Sequence, residues 1–131
     1  MEKFLLGENE IYLKPFRIFH VVAIGDQTEE TGAGYLRYNE KALRHFGGRV
    51  NFLIDMNRCG KISPKARRIF KQLGELETTE QVAVFGAHPM AKLIGNMVLS
   101  SFGKDNARFF DQEEQAMEWV LHGMDVKGKE V

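Results

Sequence analysis

The chain has 131 residues, enough for one domain whose hydrophobic core needs no disulfide or metal to hold it. Its 18 Lys and Arg residues balance 18 Asp and Glu residues, so the net charge gives no reason to expect binding to nucleic acid or to an anionic membrane. A single cysteine, Cys59, excludes an intrachain disulfide, and the spacing of the four histidines matches no zinc pattern, so we expect a cytoplasmic protein without metal or cofactor.

No segment has the pattern of a leader or of a membrane span. The amino terminus, MEKFLLGENE, has one short apolar run before its acids, and no apolar stretch is long enough to cross a bilayer. We expect one domain over residues 1–131, with its core at residues 10–122 and a disordered tail over residues 123–131.

Apolar periodicity predicts an antiparallel hairpin followed by a helix. Two strand-like runs, residues 10–14 and 17–25, flank a turn at Pro15. Thr28 then has the residue type that caps a helix, and this helix ends at Gly47. The sheet is therefore expected to begin with two antiparallel strands.

The second half of the chain alternates strands with helices. Residues 50–56 and 82–86 are continuous apolar runs, which is typical of strands covered on both faces, and residues 107–110 form a shorter strand. Helices are predicted over residues 63–76, over residues 89–102 and from Asp111 onwards. This order predicts an α/β fold with one mixed sheet of about five strands, antiparallel first and then parallel, and about four helices.

Four stretches in this order resemble the SpoIIAA-like branch of the STAS superfamily. They are GDQTEE before the first helix, VNFLIDMNRCGKISPKARRIF across the central strand and second helix, QVAVFGAHPMAKLI, and ARFFDQEEQAMEWV. The resemblance implies a mixed sheet with helices mainly on one side and a distant relation to the CRAL-TRIO lipid-transfer fold. Members include anti-sigma-factor antagonists and cytoplasmic domains of anion transporters, which implies a regulatory binding role.

The junction between the central strand and the second helix is the first candidate site. Six cations and no acid lie between Asp55 and Glu75, and several surround a helix amino end, where backbone amides and the helix dipole favour an anion. We expect a protein partner or a small anion to bind here. The residues of this hypothesis are Asp55, Arg58, Lys61, Ser63, Lys65, Arg67 and Arg68. A solvated basic face is the alternative.

Ser63, directly before Pro64, has two interpretations. Its hydroxyl can cap the second helix, with proline at the first helical position, where an amide has no partner to lose. The STAS resemblance implies instead that a serine at the start of this helix is phosphorylated in antagonist members, usually within an Asp-Ser pair. Here the pair is Ile62-Ser63. Capping and phosphorylation both stay open at this point.

The segment PMAKLIGNMVLSSF, residues 89–102, is too apolar for an ordinary surface helix. Lys92 is its only charge, and its apolar residues extend beyond one stripe. Burial in the core, a homodimer interface and a wall for a lipid-like ligand are three interpretations of this pattern. The residues concerned are Met90, Leu93, Ile94, Met97, Val98 and Phe102.

Catalysis is the least supported class of function. Cys59 lies beside Arg58 in a predicted loop near a helix start, a setting that can lower the pKa of a thiol, but no histidine is near it in the sequence. We therefore expect a non-enzymatic regulatory binding module. The second hypothesis is a carrier or sensor of a lipid-like apolar ligand, and Cys59-dependent chemistry is a third.

Overall fold

The computed structural model describes residues 2–99 and 106–130, and of Met90, Ile94, Met97, Val98 and residues 123–130 it describes the backbone alone. The elements within these residues follow in the order β1 (Glu2–Leu6), β2 (Asn9–Lys14), β3 (Ile18–Gln27), α1 (Glu29–Phe46), β4 (Val50–Ile62), α2 (Pro64–Glu75), β5 (Thr79–Phe85), α3 (Pro89–Leu99), β6 (Ala107–Phe110) and α4 (Glu113–Glu130).

The six described strands form one sheet in which the spatial order is the chain order, β1 to β6. β1, β2 and β3 pair antiparallel, whereas β3 to β6 pair parallel. The predicted mixed α/β sheet is therefore confirmed. The strand that the sequence did not predict is β1, which reaches β2 through a turn at Gly7 with a φ of 63°.

The helices divide unequally between the two faces of the sheet. Because each parallel strand adds on the same side of its predecessor, right-handed crossovers place α1, α2 and α3 on one face. There Tyr35 and Leu73 join a core with Phe19 and Phe52 of the sheet. α4 packs its Ala116 and Val120 against the other face, on Leu53 and Ala83. Since neighbouring residues of β4 face opposite cores, the continuous apolar run of this strand is explained.

Local signals set the ends of α1 and α2 as the sequence predicts. Thr28 caps α1, and Gly47 ends it in the left-handed conformation with a φ of 81°. Ser63 caps α2, and Pro64 takes its first position.

β4 is longer than predicted, because it continues past Met56 to Ile62. Its second half pairs with the end of β3, where Gly25 lies opposite Cys59 after a shift of register. Asp26 Oδ1 accepts a hydrogen bond from the Lys61 amide at 2.8 Å and fixes this extension. The predicted loop around Cys59 is therefore a strand.

Two expectations about the extent of the domain stay predictions: one domain over residues 1–131 and a disordered tail over residues 123–131. The described backbone of α4 continues to Glu130.

Candidate functional site

The amino end of α2 is largely satisfied by its own cap. Ser63 Oγ accepts from the Ala66 amide at 3.1 Å, and the Ser63 carbonyl accepts from the Arg67 amide at 3.0 Å. Pro64 has no N–H to offer. Among the described contacts, this leaves the Lys65 amide as the one free donor of the first turn. The helix end therefore offers an anion fewer backbone amides than the sequence predicts.

Three of the predicted cations lie exposed at this end of the fold. Lys61 is the second-last residue of β4, while Lys65 and Arg68 lie one turn apart on the exposed side of α2. We call Lys61, Lys65 and Arg68 the cationic junction. Lys65 Nζ lies 3.4 Å from Glu29 Oε2 of α1, so one of the three is paired with an acid.

Arg67 does not belong to the cationic junction. It is half-buried, and its Nε is enclosed without a hydrogen-bond partner among the described residues. A guanidinium held in this way is less available to a partner than Arg68, its exposed neighbour.

Arg58 lies on the opposite face of the sheet. Its neighbour Cys59 faces the core beneath α1 and α2, and successive side chains of a strand point to opposite faces. Arg58 instead contributes to a lowered pKa of the Glu10 carboxyl, after the hydrogen bond that the Tyr12 hydroxyl donates to Glu10 Oε1 at 2.7 Å and after Lys3. The structure therefore divides the predicted group of cations between two faces.

Asp55 fixes the backbone at the carboxyl edge of the sheet. Its Oδ1 accepts from the Asn57 amide at 2.9 Å and from Asn57 Nδ2 at 3.0 Å, and Asn57 Oδ1 accepts from the Ala87 amide at 2.9 Å. Ligand crevices of open α/β sheets form where the strand order reverses, and the described strands have no such reversal. The strand order therefore gives no reason to expect a ligand at Asp55.

A small apolar cavity, which the sequence did not predict, lies between the sheet and helices α1 and α2. Its volume is about 60 Å³. The polar groups at its edge bond to one another, since Tyr35 donates to Gln27 Oε1 at 3.3 Å and Gln27 Nε2 donates to Asn9 Oδ1 at 2.9 Å. Other side chains that line the cavity are Phe19, Phe52, Met56, Cys59, Phe70 and Leu73.

Two observations disfavour the alternative of Cys59-dependent chemistry. Cys59 lies in a strand instead of a loop, and it is half-buried against the apolar cavity. Burial, and secondly the charge of Asp26, raise the pKa of its thiol to about 11. At pH 7 about one thiol in 10⁴ is then ionised, which disfavours nucleophilic chemistry.

Helix α3 packs against β4, β5 and β6, with Ala91 in the core. Of the residues predicted to form an interface or a ligand wall, Leu93 is 57% exposed. The side chains of Met90, Ile94, Met97 and Val98, and the whole of Phe102, lie outside the described residues. The homodimer and the ligand wall at this helix stay predictions.

Among the described side chains, no three His, Cys, Asp or Glu residues come together in a way that could hold a metal ion. In the same part of the chain, no helix combines the length and the apolar character that crossing a membrane requires.

Comparison with known proteins agrees with the architecture. A family model described as SpoIIAA-like matches residues 18–121. Among solved structures, an uncharacterized protein of the DUF3478 family from Shewanella loihica PV-4, described as having a SpoIIAA-like fold, superposes with a TM-score of 0.65. It is 21% identical in sequence, and the alignment covers 92% of this chain and 98% of that one, which shows a shared fold. No curated protein matches the sequence.

Proposed function

Because the chain belongs to the SpoIIAA-like family, we propose that it is a non-enzymatic regulatory module that binds an acidic protein surface through the cationic junction. One observation carries this proposal: Lys61, Lys65 and Arg68 are exposed together at a segment that contains no acid between Asp55 and Glu75. Opposite charge on a partner would speed encounter and select the partner.

A protein surface fits the junction better than a small anion does. The junction is open, its helix end offers one amide, and Asp26 and Glu29 lie beside it. A single phosphate would meet these two carboxylates at short range, whereas a broad surface can place its acids over Lys61 and Arg68. Small-anion binding is the weaker form of the proposal.

Photo-crosslinking tests the proposal in the native host. A photoreactive residue at Gln72, which lies one turn beyond Arg68 on the same exposed side, should capture one protein repeatedly. The double variant Lys61→Glu, Arg68→Glu should abolish that product. The matched control is a photoreactive residue at Arg37, an exposed cation of α1, which should not capture it. Equal products from positions 72 and 37 would contradict the proposal.

Phosphorylation of Ser63 would regulate the same surface. A phosphate at the start of a helix is favoured by the helix dipole, and it would change the charge presented beside Lys61 and Lys65. Ile62 stands where the STAS pattern usually has an acid. The intact mass of the chain from its native host, compared with that of Ser63→Ala, tests for the phosphate.

The apolar cavity favours a second candidate function, a carrier or sensor of an apolar ligand. A volume of about 60 Å³ is less than half of the ~150 Å³ that accommodates benzene in an engineered core, so a lipid-like molecule would need the helices to move apart. Native mass spectrometry of the purified chain should then find a bound acyl species. Ala23→Leu, which fills the cavity, should remove that species.

Localisation of the protein in the cytoplasm stays a prediction.

A further inference from the structure

The turn between β2 and β3 holds an exposed aromatic residue in an unfavourable backbone conformation. Phe16 has a φ of 68° and Arg17 a φ of 58°, in the left-handed region that bulky residues avoid. Buried Asn51 binds the carbonyls of both residues. Its backbone N–H donates to Arg17 O at 2.8 Å, and its side-chain Nδ2 donates to Phe16 O at 3.4 Å. Phe16 is nevertheless 62% exposed.

Local stability alone does not explain a phenylalanine at this position. Glycine or asparagine adopts a positive φ at lower cost, and neither would expose an apolar ring to water. Backbone strain of this kind persists where the surrounding structure enforces it, and it is often associated with function.

The surroundings of Phe16 carry positive charge. Arg17 Nη2 lies 3.1 Å from Glu80 Oε2, and Arg49 Nη1 lies 3.3 Å from Glu80 Oε1. The Glu80 carboxylate is buried, with 5% of its side chain exposed, while the arginine side chains are 37% and 57% exposed. Because Arg17 and Arg49 share the single carboxylate of Glu80, this pair of ion contacts leaves a net positive charge next to Phe16. Aromatic residues and arginine are the types enriched at protein interfaces.

A groove of complementary character lies between β2 and α4. Half-buried Met117 and Leu121 form its apolar part, and three glutamates face one lysine across it, which leaves surplus negative charge. The residues that line it include Lys14, Glu113, Glu114, Met117, Glu118 and Leu121.

We propose that the Phe16 turn of one copy of the chain docks in the α4 groove of a second copy. The ring would cover Met117 and Leu121, and the surplus positive charge of Arg17 and Arg49 would face the glutamates. Because Lys14 borders the groove two residues before Phe16, turn and groove are neighbours on one molecule. A twofold axis between two copies would therefore form both contacts at once.

This dimer is independent of the cationic junction and of α3. The contact is small, so the association is weak, with a Kd on the order of 100 µM and a dependence on salt. Sedimentation velocity between about 10 µM and 1 mM should show a concentration-dependent dimer that dissociates when sodium chloride is raised from about 50 to 500 mM.

Phe16→Gly is the decisive variant, because the two properties it changes move in opposite directions. We expect the melting temperature to rise by about 3 °C, since the left-handed strain is relieved, while the dimer weakens at least tenfold. Phe16→Asn should act in the same way without the added flexibility of glycine. Glu114→Lys combined with Glu118→Lys should weaken the dimer without raising the melting temperature. Leu93→Ala on α3 is the control and should leave the dimer intact.

Three results would overturn the proposal. The first is a monomeric mass for the unaltered chain at 1 mM and low salt. The second is a dimer that survives both Phe16 variants, above all one that Leu93→Ala abolishes, since this would assign self-association to α3. The third is a dimer indifferent to the double glutamate variant, because the groove would then not be the binding surface.

Discussion

Lys65 Nζ lies 3.4 Å from Glu29 Oε2, so one ion pair joins the amino ends of α1 and α2. Both side chains are about two thirds exposed, and such a pair adds about 1 kcal/mol at most to stability. Its larger effect is that it neutralises one cation of the cationic junction. We expect Glu29→Gln to raise the affinity of the junction for a hexaglutamate peptide by about twofold to fivefold at low salt.

The peptide affinity is measured by NMR titration of the amides of residues 58–68. Glu40→Gln, an exposed acid elsewhere on α1, is the matched control and should leave the affinity unchanged. Equal effects of the two variants would mean that net charge, and not the position of Glu29, sets the affinity.

Ser63 should contribute to stability as the cap of α2. Ser63→Ala removes the acceptor for the Ala66 amide, and we expect the free energy of unfolding to fall by about 1 kcal/mol. Ser63→Asp keeps an acceptor and favours the helix dipole, so it should be near neutral. Urea denaturation measures both. An alanine variant as stable as the original chain would show that the cap contributes little.

His20 should make the fold less stable in acid. Its side chain is 6% exposed, neither ring nitrogen has a hydrogen-bond partner in the described structure, and Nε2 lies 3.6 Å from Glu113 Oε1. Burial, with a smaller effect of Lys14, lowers its pKa from 6.5 to about 4, against the opposing charges of Asp55 and Glu10. The imidazole is therefore neutral in the folded chain at pH 5.

The unfolded chain accepts this proton near pH 6.5, so stability is full above that pH and falls as the pH drops towards 4. Between pH 7.5 and 5.0 the expected loss is about 2 kcal/mol. Urea denaturation of His20→Phe should show a smaller loss over the same range, and His122→Gln, at an exposed histidine, should behave like the original chain. An NMR titration that gives His20 a pKa near 6.5 would contradict the explanation.

Gly60 should not tolerate a side chain. A Cβ at this position would lie 3.0 Å from the backbone carbon of Gly25 and closer still to Asp26 Oδ1. We expect Gly60→Ala to destabilise the fold by about 1–3 kcal/mol in urea denaturation, because backbone must move to make room. Lys61→Ala, at the next and exposed position, should change stability by less than about 0.5 kcal/mol. Equal stability of the two variants would show that β4 can shift.

Cys59 should react slowly with iodoacetamide. Since burial and the charge of Asp26 raise the pKa of its thiol to about 11, we expect alkylation at pH 8 to be at least tenfold slower than that of free cysteine. Addition of urea should restore the ordinary rate, and this serves as the internal control. A fast reaction of the folded chain would reopen the question of cysteine chemistry.

Local signals made much of the fold predictable. The caps at Thr28 and Ser63 and the continuous apolar runs of β4 and β5 depend on neighbouring residues, and the structure contains all of them. The strand β1 and the second half of β4 were not predicted, because pairing gives them their order: β1 pairs with β2 in a hairpin, and the second half of β4 pairs with the end of β3, on the other side of α1 in the sequence. The second half of β4 has no strong apolar pattern of its own, and the apolar run in β1 is short.

The candidate site was predictable only as a list of residues. Exposure of Lys65 and Arg68 follows from the pattern of α2, but the placement of Arg58 on the other face depends on a shift of register between β3 and β4. The apolar cavity depends on the fit between helices and sheet, to which each lining residue contributes only as an ordinary apolar side chain.

The sequential order of the strands has a consequence for how the molecule assembles. Each strand is laid beside the one made just before it, so no pairing has to wait for a distant part of the chain. During synthesis the sheet can grow from β1 outwards, and each crossover helix can cover its new strand as soon as both have left the ribosome. Only α4, which covers the other face, must come last, so until it docks the emerging chain carries Leu53 and Ala83 uncovered.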